Sequence, residues 1–245
     1  MERSSGVIAG LFAALIMAGA VAWSAMTLGQ AIVDQRVVDR RVTVKGLAER
    51  DVKADLAVWP LTITAANDDL ADLQEKIDAD VALVRAFLTE RGFDVAEISL
   101  GRLQVQDRVA QGYGQDFQRG GRYVITQPMV VRSENVDRVA QVSRGLGELV
   151  RQGVVLQDWQ GPAYVFTGLN GIKPQMIADA TANAREAAIQ FAQDAGTQLG
   201  PIANANQGVF VILPRDDIPG EIESNQIFKT VRVVSTVTYL LEAQT

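Results

Sequence analysis

Residues 4 through 33 contain no charged side chain, and this stretch constrains the chain more than any other. Its apolar heart, residues 7–26, holds Val7, Ile8, Leu11, Phe12, Leu15, Ile16, Val21 and Trp23. As a helix, about 20 residues span roughly 30 Å, the thickness of the bilayer hydrocarbon. Trp23 falls near the far end, where interfacial aromatics lie. Ala18-Gly19-Ala20 offers a small-residue cleavage site of the secretory type, yet the apolar run continues past it. The expectation is therefore a retained transmembrane anchor over residues 1–33, a spacer over 34–41 and a folded domain over 42–245. Arg36, Arg40 and Arg41 follow the anchor, while Arg3 and the terminal amine precede it. Taken alone, that bias would leave the domain in the cytoplasm.

Histidine and cysteine are both absent. Ser-His and Cys-His nucleophiles, disulfides, thiolate chemistry and His- or Cys-ligated metals are excluded with them. The net charge of −6 is spread along the chain, with no basic stripe of the kind nucleic acids require. No catalytic residue, cofactor or metal ligand set is expected.

The domain reads as α+β. Val42 and Val44 alternate with Thr43 and Lys45 until Gly46, predicting a short strand that ends there. Trp59, Leu61 and Ile63 predict a second strand, and Pro60 suggests that it lies at a sheet edge or bulge. Asn67-Asp68 can cap a helix whose stripe is Leu70, Leu73, Ile77, Val81, Val84 and Leu88, closed by Gly92. Strand parity flips at Gly101, between Ile98/Leu100 and Leu103/Val105, as at a β-bulge. After a glycine-rich loop at 110–121, Tyr123, Ile125, Met129 and Val131 resume the alternation. Ser133 or Asn135 then caps a helix with Val136, Val139, Leu146 and Val150 on one side.

A second round follows: a strand at 164–166, an Asn170-Gly171 turn, and a helix with Pro174 in its first turn and Gly196 at its end. A strand at 209–213, a loop at 214–225 and a long strand at 227–241 complete it. Phe87/Phe191, Gly92/Gly196, Ile98/Ile202 and Val105/Val209 share one spacing of 104 residues, suggesting duplication. The expected architecture is two strand–helix–strand–strand units with mainly antiparallel sheets and packed helices, preceded by one N-terminal transmembrane helix. The alanines of the third helix are expected to serve intrachain packing, with a self-association face as the alternative.

Chemistry is sparse. Asp216, Asp217, Glu221 and Glu223 crowd the loop at 214–225, but their spacing matches no EF-hand, and a solvated acidic loop is expected. Gly112-Tyr113-Gly114 lacks the third glycine of a phosphate fingerprint and opens no helix. Tyr113 and Phe117 are instead candidate interaction residues, exposed rings on a glycine-rich loop, unless both fold back on the sheet. No serine is followed three residues later by lysine.

The order of motifs resembles the SIMPL domain family of bacterial envelope proteins. The family's V-x-V-x-G strand is Val42-Thr43-Val44-Lys45-Gly46, and its D-x-A is Asp55-Leu56-Ala57. An Ala-rich helix over 180–195 leads into Gly196-Thr197-Gln198-Leu199-Gly200, a G-x-x-L-G turn, and the last strand follows over 231–241. The resemblance implies an exported α+β protein of uncharacterised role, with ring-forming homo-oligomers and oxidative-stress protection among relatives, and no agreed active site. It favours an inner-membrane, single-pass protein with its domain in the periplasm, against the arginine bias. The functional expectation is a non-enzymatic, membrane-anchored protein that forms a homo-oligomer or binds an envelope protein partner, with no nucleic acid. A carboxylate-dependent envelope glycan hydrolase and a small-ligand or lipid-binding module are the alternatives.

Overall fold

The computed structural model describes residues 17, 19, 23–26, 40–110, 121–157, 161–216 and 218–243. Ten strands are placed: β1 (Arg41–Lys53), β2 (Leu56–Asn67), β3 (Ile98–Leu100), β4 (Gln104–Asp107), β5 (Tyr123–Ser133), β6 (Leu156–Gln157), β7 (Ala163–Val165), β8 (Thr197–Gln207), β9 (Val211–Pro214) and β10 (Phe228–Ala243). Between residues 40 and 243, four α-helices are described with them: α1 (Leu70–Glu90), α2 (Val136–Ser143), α3 (Gly147–Arg151) and α4 (Leu169–Asp194). The α+β class with antiparallel pairing is as expected. Two compact units result, one from 1–48, 177–209 and 234–245, the other from 49–176 and 210–233.

In the larger unit, β2 pairs β5 along eleven positions, from Ala57↔Ser133 to Asn67↔Tyr123. Odd-numbered side chains of β2 alternate inward, so Trp59, Leu61 and Ile63 are fully buried. Leu73, Ile77, Val84 and Leu88 of α1 join them in one cluster, together with Val139 of α2. The helical period and the strand period thus converge on one core. Asp69, not Asn67-Asp68, caps α1: its carboxylate accepts from the N–H groups of Ala71 (2.7 Å) and Asp72 (3.1 Å). Asn67 holds the turn before it, accepting from the Asp68 and Asp69 N–H groups.

Several boundaries differ from expectation. β2 is a central strand, not an edge. Pro60 is tolerated because β7 pairs only Leu56–Val58 and β6 only Thr62–Ile63, leaving a gap between them. The helix expected through Val150 breaks at Gly145, so Leu149 is buried and Val150 lies 58% exposed. β3 and β4 are separate strands on β5, in place of one bulged strand. Asn170 and Gly171 are helical, because α4 starts at Leu169 and Pro174 lies inside it. β9 begins at Val211, and Val209 is exposed.

In the smaller unit, Val42, Ala184, Ala188, Val237 and Tyr239 form the core. Ala180, Ala184, Ala188 and Ala192 recur every fourth residue on α4 and are all buried. The alanine stripe is packing within the chain. Residues 197–207 form a strand where a turn was expected at 196–200. Only Gly196, with φ of 63°, turns; pairing with β10 extends the rest. The expected duplication has a counterpart in pairing: β5 carries β3 and β4, and β10 carries β8 and β9. Its side chains diverge, since Phe87 and Ile98 are buried whereas Phe191 and Ile202 are exposed.

Of the anchor residues, only Trp23 lies among the described residues; it is helical and exposed. Val7, Ile8, Leu11, Phe12, Leu15, Ile16 and Val21 lie outside them. No helix among the described residues is long and apolar enough to cross a membrane.

Candidate functional site

The residues that carry the family resemblance do mechanical work. Gly46 does not end β1; it lies inside the strand, where a Cβ would sit 1.9 Å from the Ala180 carbonyl oxygen of α4. Asn183 donates to the Leu47 carbonyl at 2.8 Å, fixing the same approach. Asp55 uses both carboxylate oxygens, accepting from the Thr167 N–H (2.7 Å) and the Gly168 N–H (2.9 Å) just before α4. A carboxylate there satisfies orphan donors and meets the positive end of the helix dipole. Ala57 is fully buried beside it in sequence, in the sheet core. Asp55→Ala is expected to lower unfolding free energy by about 1–2 kcal/mol, the cost of a lost N-terminal cap. Asp55→Asn should recover part of that loss in a denaturant titration.

β10 explains the next feature. Lys229, Val231, Val233, Ser235, Val237 and Tyr239 share one parity and all are buried. Lys229 is completely enclosed, and its Nζ donates to the Glu223 carbonyl at 2.7 Å and pairs with the Glu223 carboxylate. The acidic loop is therefore not simply solvated. Asp216 pairs with Arg215 at 2.8 Å. Gln226 braces the turn, donating to the Asp216 carbonyl at 2.7 Å and to Glu221 at 3.3 Å. Asp217 lies outside the described residues. The signal for Lys229 was present in the sequence: a lysine in phase with the buried valines of a strand needs a buried partner.

This braced turn forms one wall of a cavity of about 320 Å³. Arg144, just after α2, and Tyr164 of β7 face it, together with Arg215, Asp216, Glu221 and Phe228. The Arg215 guanidinium lies 4.8 Å from the Phe228 ring centroid. It holds the Asp216 carboxyl below its ordinary range through their hydrogen bond. Tyr164 is only 7% exposed, and burial pushes its hydroxyl above the ordinary tyrosine value, with Arg144 opposing. Tyr164 stays a hydrogen-bond donor at neutral pH.

Two neighbouring hollows in this unit are self-satisfied. One holds the Arg232–Glu49 pair at 2.5 Å, the other Lys53–Asp137 at 2.6 Å. Among the described residues, no group of three or more acidic side chains is placed to hold a metal ion. Tyr113 and Phe117 lie outside the described residues.

No curated protein matches the chain. The model of the SIMPL family, described as a protein of unknown function (DUF541), matches residues 42–239, the span over which Gly46, Asp55 and the Gly196–Gly200 segment occur. The chain belongs to the SIMPL family.

Proposed function

We propose that this protein is a non-enzymatic, membrane-anchored periplasmic domain that works by assembling with further copies of itself. The observation that carries the reading is β8. Its eleven residues contain no charge, and every residue from Pro201 to Gln207 is exposed. β8 ends its sheet, pairing only β10 among the described residues. Unpaired N–H and C=O groups along such an edge template another strand, and proteins normally blunt them with lysine or short length. Here Pro201 alone does so.

An uncharged edge can pair with its own copy without placing like charges opposite each other, although the chain as a whole carries −6. Strand addition by a second copy is thus the fitting mode. Ile202 on the strand and Ile189 and Phe191 on α4 add exposed apolar surface in the same unit. Anchoring through residues 7–26 would raise the local concentration of partners, with Tyr113 and Phe117 as a further aromatic contact. The family's ring-forming relatives agree with this reading. The structural employment of Gly46 and Asp55 supports a role other than catalysis.

The test is native mass measurement of the full chain in mild detergent. A discrete homo-oligomer is expected. Ala203→Lys with Ala205→Lys, at exposed positions of β8, should convert it to monomer with thermal unfolding nearly unchanged. A wild-type monomer at all concentrations, or an oligomer indifferent to both lysines, would reject the β8 edge as the assembly site.

A further inference from the structure

We infer that the cavity between α2, β7 and the 215–228 turn is a binding site for a small apolar zwitterion, a free amino acid or the end of a short peptide. The inference is independent of assembly through β8. Its volume of about 320 Å³ lies at the lower end of the roughly 300–1,000 Å³ typical of small-ligand clefts. A ligand of a few heavy atoms beyond a backbone unit suits that space.

Two groups facing the cavity lack partners. Tyr164 is more than nine-tenths buried, yet its hydroxyl makes no hydrogen bond among the described residues. The ring is buried, but the hydroxyl itself keeps contact with solvent, since Thr64 Oγ1 and Ser235 Oγ are the enclosed unpartnered side-chain oxygens among the described residues. Tyr164 lines the cavity, where a ligand can supply the missing partner. Arg144 likewise makes no side-chain hydrogen bond or ion pair among the described residues, although it is close enough to act on the Tyr164 hydroxyl electrostatically. A guanidinium only donates and a neutral phenol hydroxyl can donate, so together they suit one acceptor that is negatively charged and small. A carboxylate meets both.

The same lining also offers the other charge. Asp216 and Glu221 line the same cavity, and their fixed donors leave acceptor capacity: Glu221 receives a single 3.3 Å hydrogen bond from Gln226. The hydrogen bond from Arg215 holds the Asp216 carboxyl below its ordinary range. A ligand ammonium would sit on this side. Among the described residues, Arg144 and Arg215 balance Asp216 and Glu221 in the lining, so a neutral zwitterion adds no net charge to it. Ile218, Ile227, Phe228 and Ala140 provide an apolar seat for the side chain, beside the polar Ser143, Asn225 and Gln226. A simple anion would satisfy Arg144 but face two carboxylates.

Calorimetric titration of the full chain in mild detergent with three probes tests this: L-leucine, isovalerate and isoamylamine. L-leucine carries both charges, and each of the others carries one. Saturable one-site binding of L-leucine is expected, with each half-probe at least tenfold weaker, the scale of one hydrogen bond to a charged group. Arg144→Met, at an exposed position, should weaken L-leucine about tenfold or more while leaving the melting temperature unchanged. Tyr164→Phe preserves shape and should weaken it several-fold. The assembly state should be the same in both variants, which separates this site from β8. Absence of saturable binding by L-leucine, isovalerate binding as tightly as L-leucine, or full affinity in Arg144→Met would each overturn the inference.

Discussion

Gly46→Ala should cost about 3–5 kcal/mol in unfolding free energy, beyond the usual 1–3 for an overpacked site. The added methyl would fall 1.9 Å from the Ala180 carbonyl oxygen, 2.4 Å from the Ala184 nitrogen and 2.8 Å from the Ala184 Cβ. Two of those three atoms are helix backbone, so no rotamer change clears them. Either α4 moves away from β1 or the strand does, and both are tied: Asn183 bonds the Leu47 carbonyl, and Val42 packs with Ala184 and Ala188. Urea unfolding measures the loss as a lower midpoint at an unchanged slope. Gly171→Ala is the control. That glycine is helical in α4 and has nothing within 4 Å of its Cβ position. Alanine there should be neutral or stabilise by up to about 1 kcal/mol. Adding Ala184→Gly to Gly46→Ala removes only the side-chain clash, so it should not restore stability. A rescue would mean that the backbone approach is looser than these distances.

Local periodicity reached much of this fold from the sequence alone. Of the stripe Leu70, Leu73, Ile77, Val81, Val84 and Leu88, Leu73, Ile77, Val84 and Leu88 are buried, as are Trp59, Leu61 and Ile63 of the alternation, while Leu70 in the first turn is exposed. What local pattern misses is set by partners distant in sequence. β8 has alanine, asparagine, glycine and proline, poor strand formers, and is extended by pairing with β10 some forty residues on. Gly46 looked like a strand end because glycine usually interrupts; its reason is a helix more than 130 positions later. Pro60 looked like an edge marker because two short strands, neither reaching it, could not be anticipated. The cavity was illegible for the same reason. Arg144, Tyr164 and Glu221 come from three separate segments of the chain and share no spacing. Lys229 is different: its parity with Val231 and Val233 already placed it inside, and the acidic loop six residues earlier held the partner.

That pair makes an asymmetric prediction. Glu223→Ala should destabilise by about 2–3 kcal/mol, while Lys229→Met should change stability by at most about 1 kcal/mol in either direction. Removing one partner from a buried ion pair typically costs about 3–5 kcal/mol, because the remaining charge stays desolvated and uncompensated. Lys229 has no exposure at all, so it is the charge that suffers. The Glu223 side chain is 36% exposed, which moderates the cost toward the lower end. Deleting the lysine has the opposite consequence. Met fills nearly the same volume among Val231 and its neighbours, and the freed Glu223 carboxylate can turn to water. The Glu223 carbonyl loses its 2.7 Å donor, a loss of about 1 kcal/mol that the removal of a buried charge offsets. The double change Glu223→Ala with Lys229→Met should therefore be more stable than Glu223→Ala alone, giving a coupling of about 2 kcal/mol in a double-mutant cycle. If Lys229→Met instead costs as much as Glu223→Ala, the amine's two bonds to the turn stabilise the loop more than its burial costs. The ion pair would then be a net stabilising clamp on the cavity wall formed by Asp216, Glu221 and Gln226.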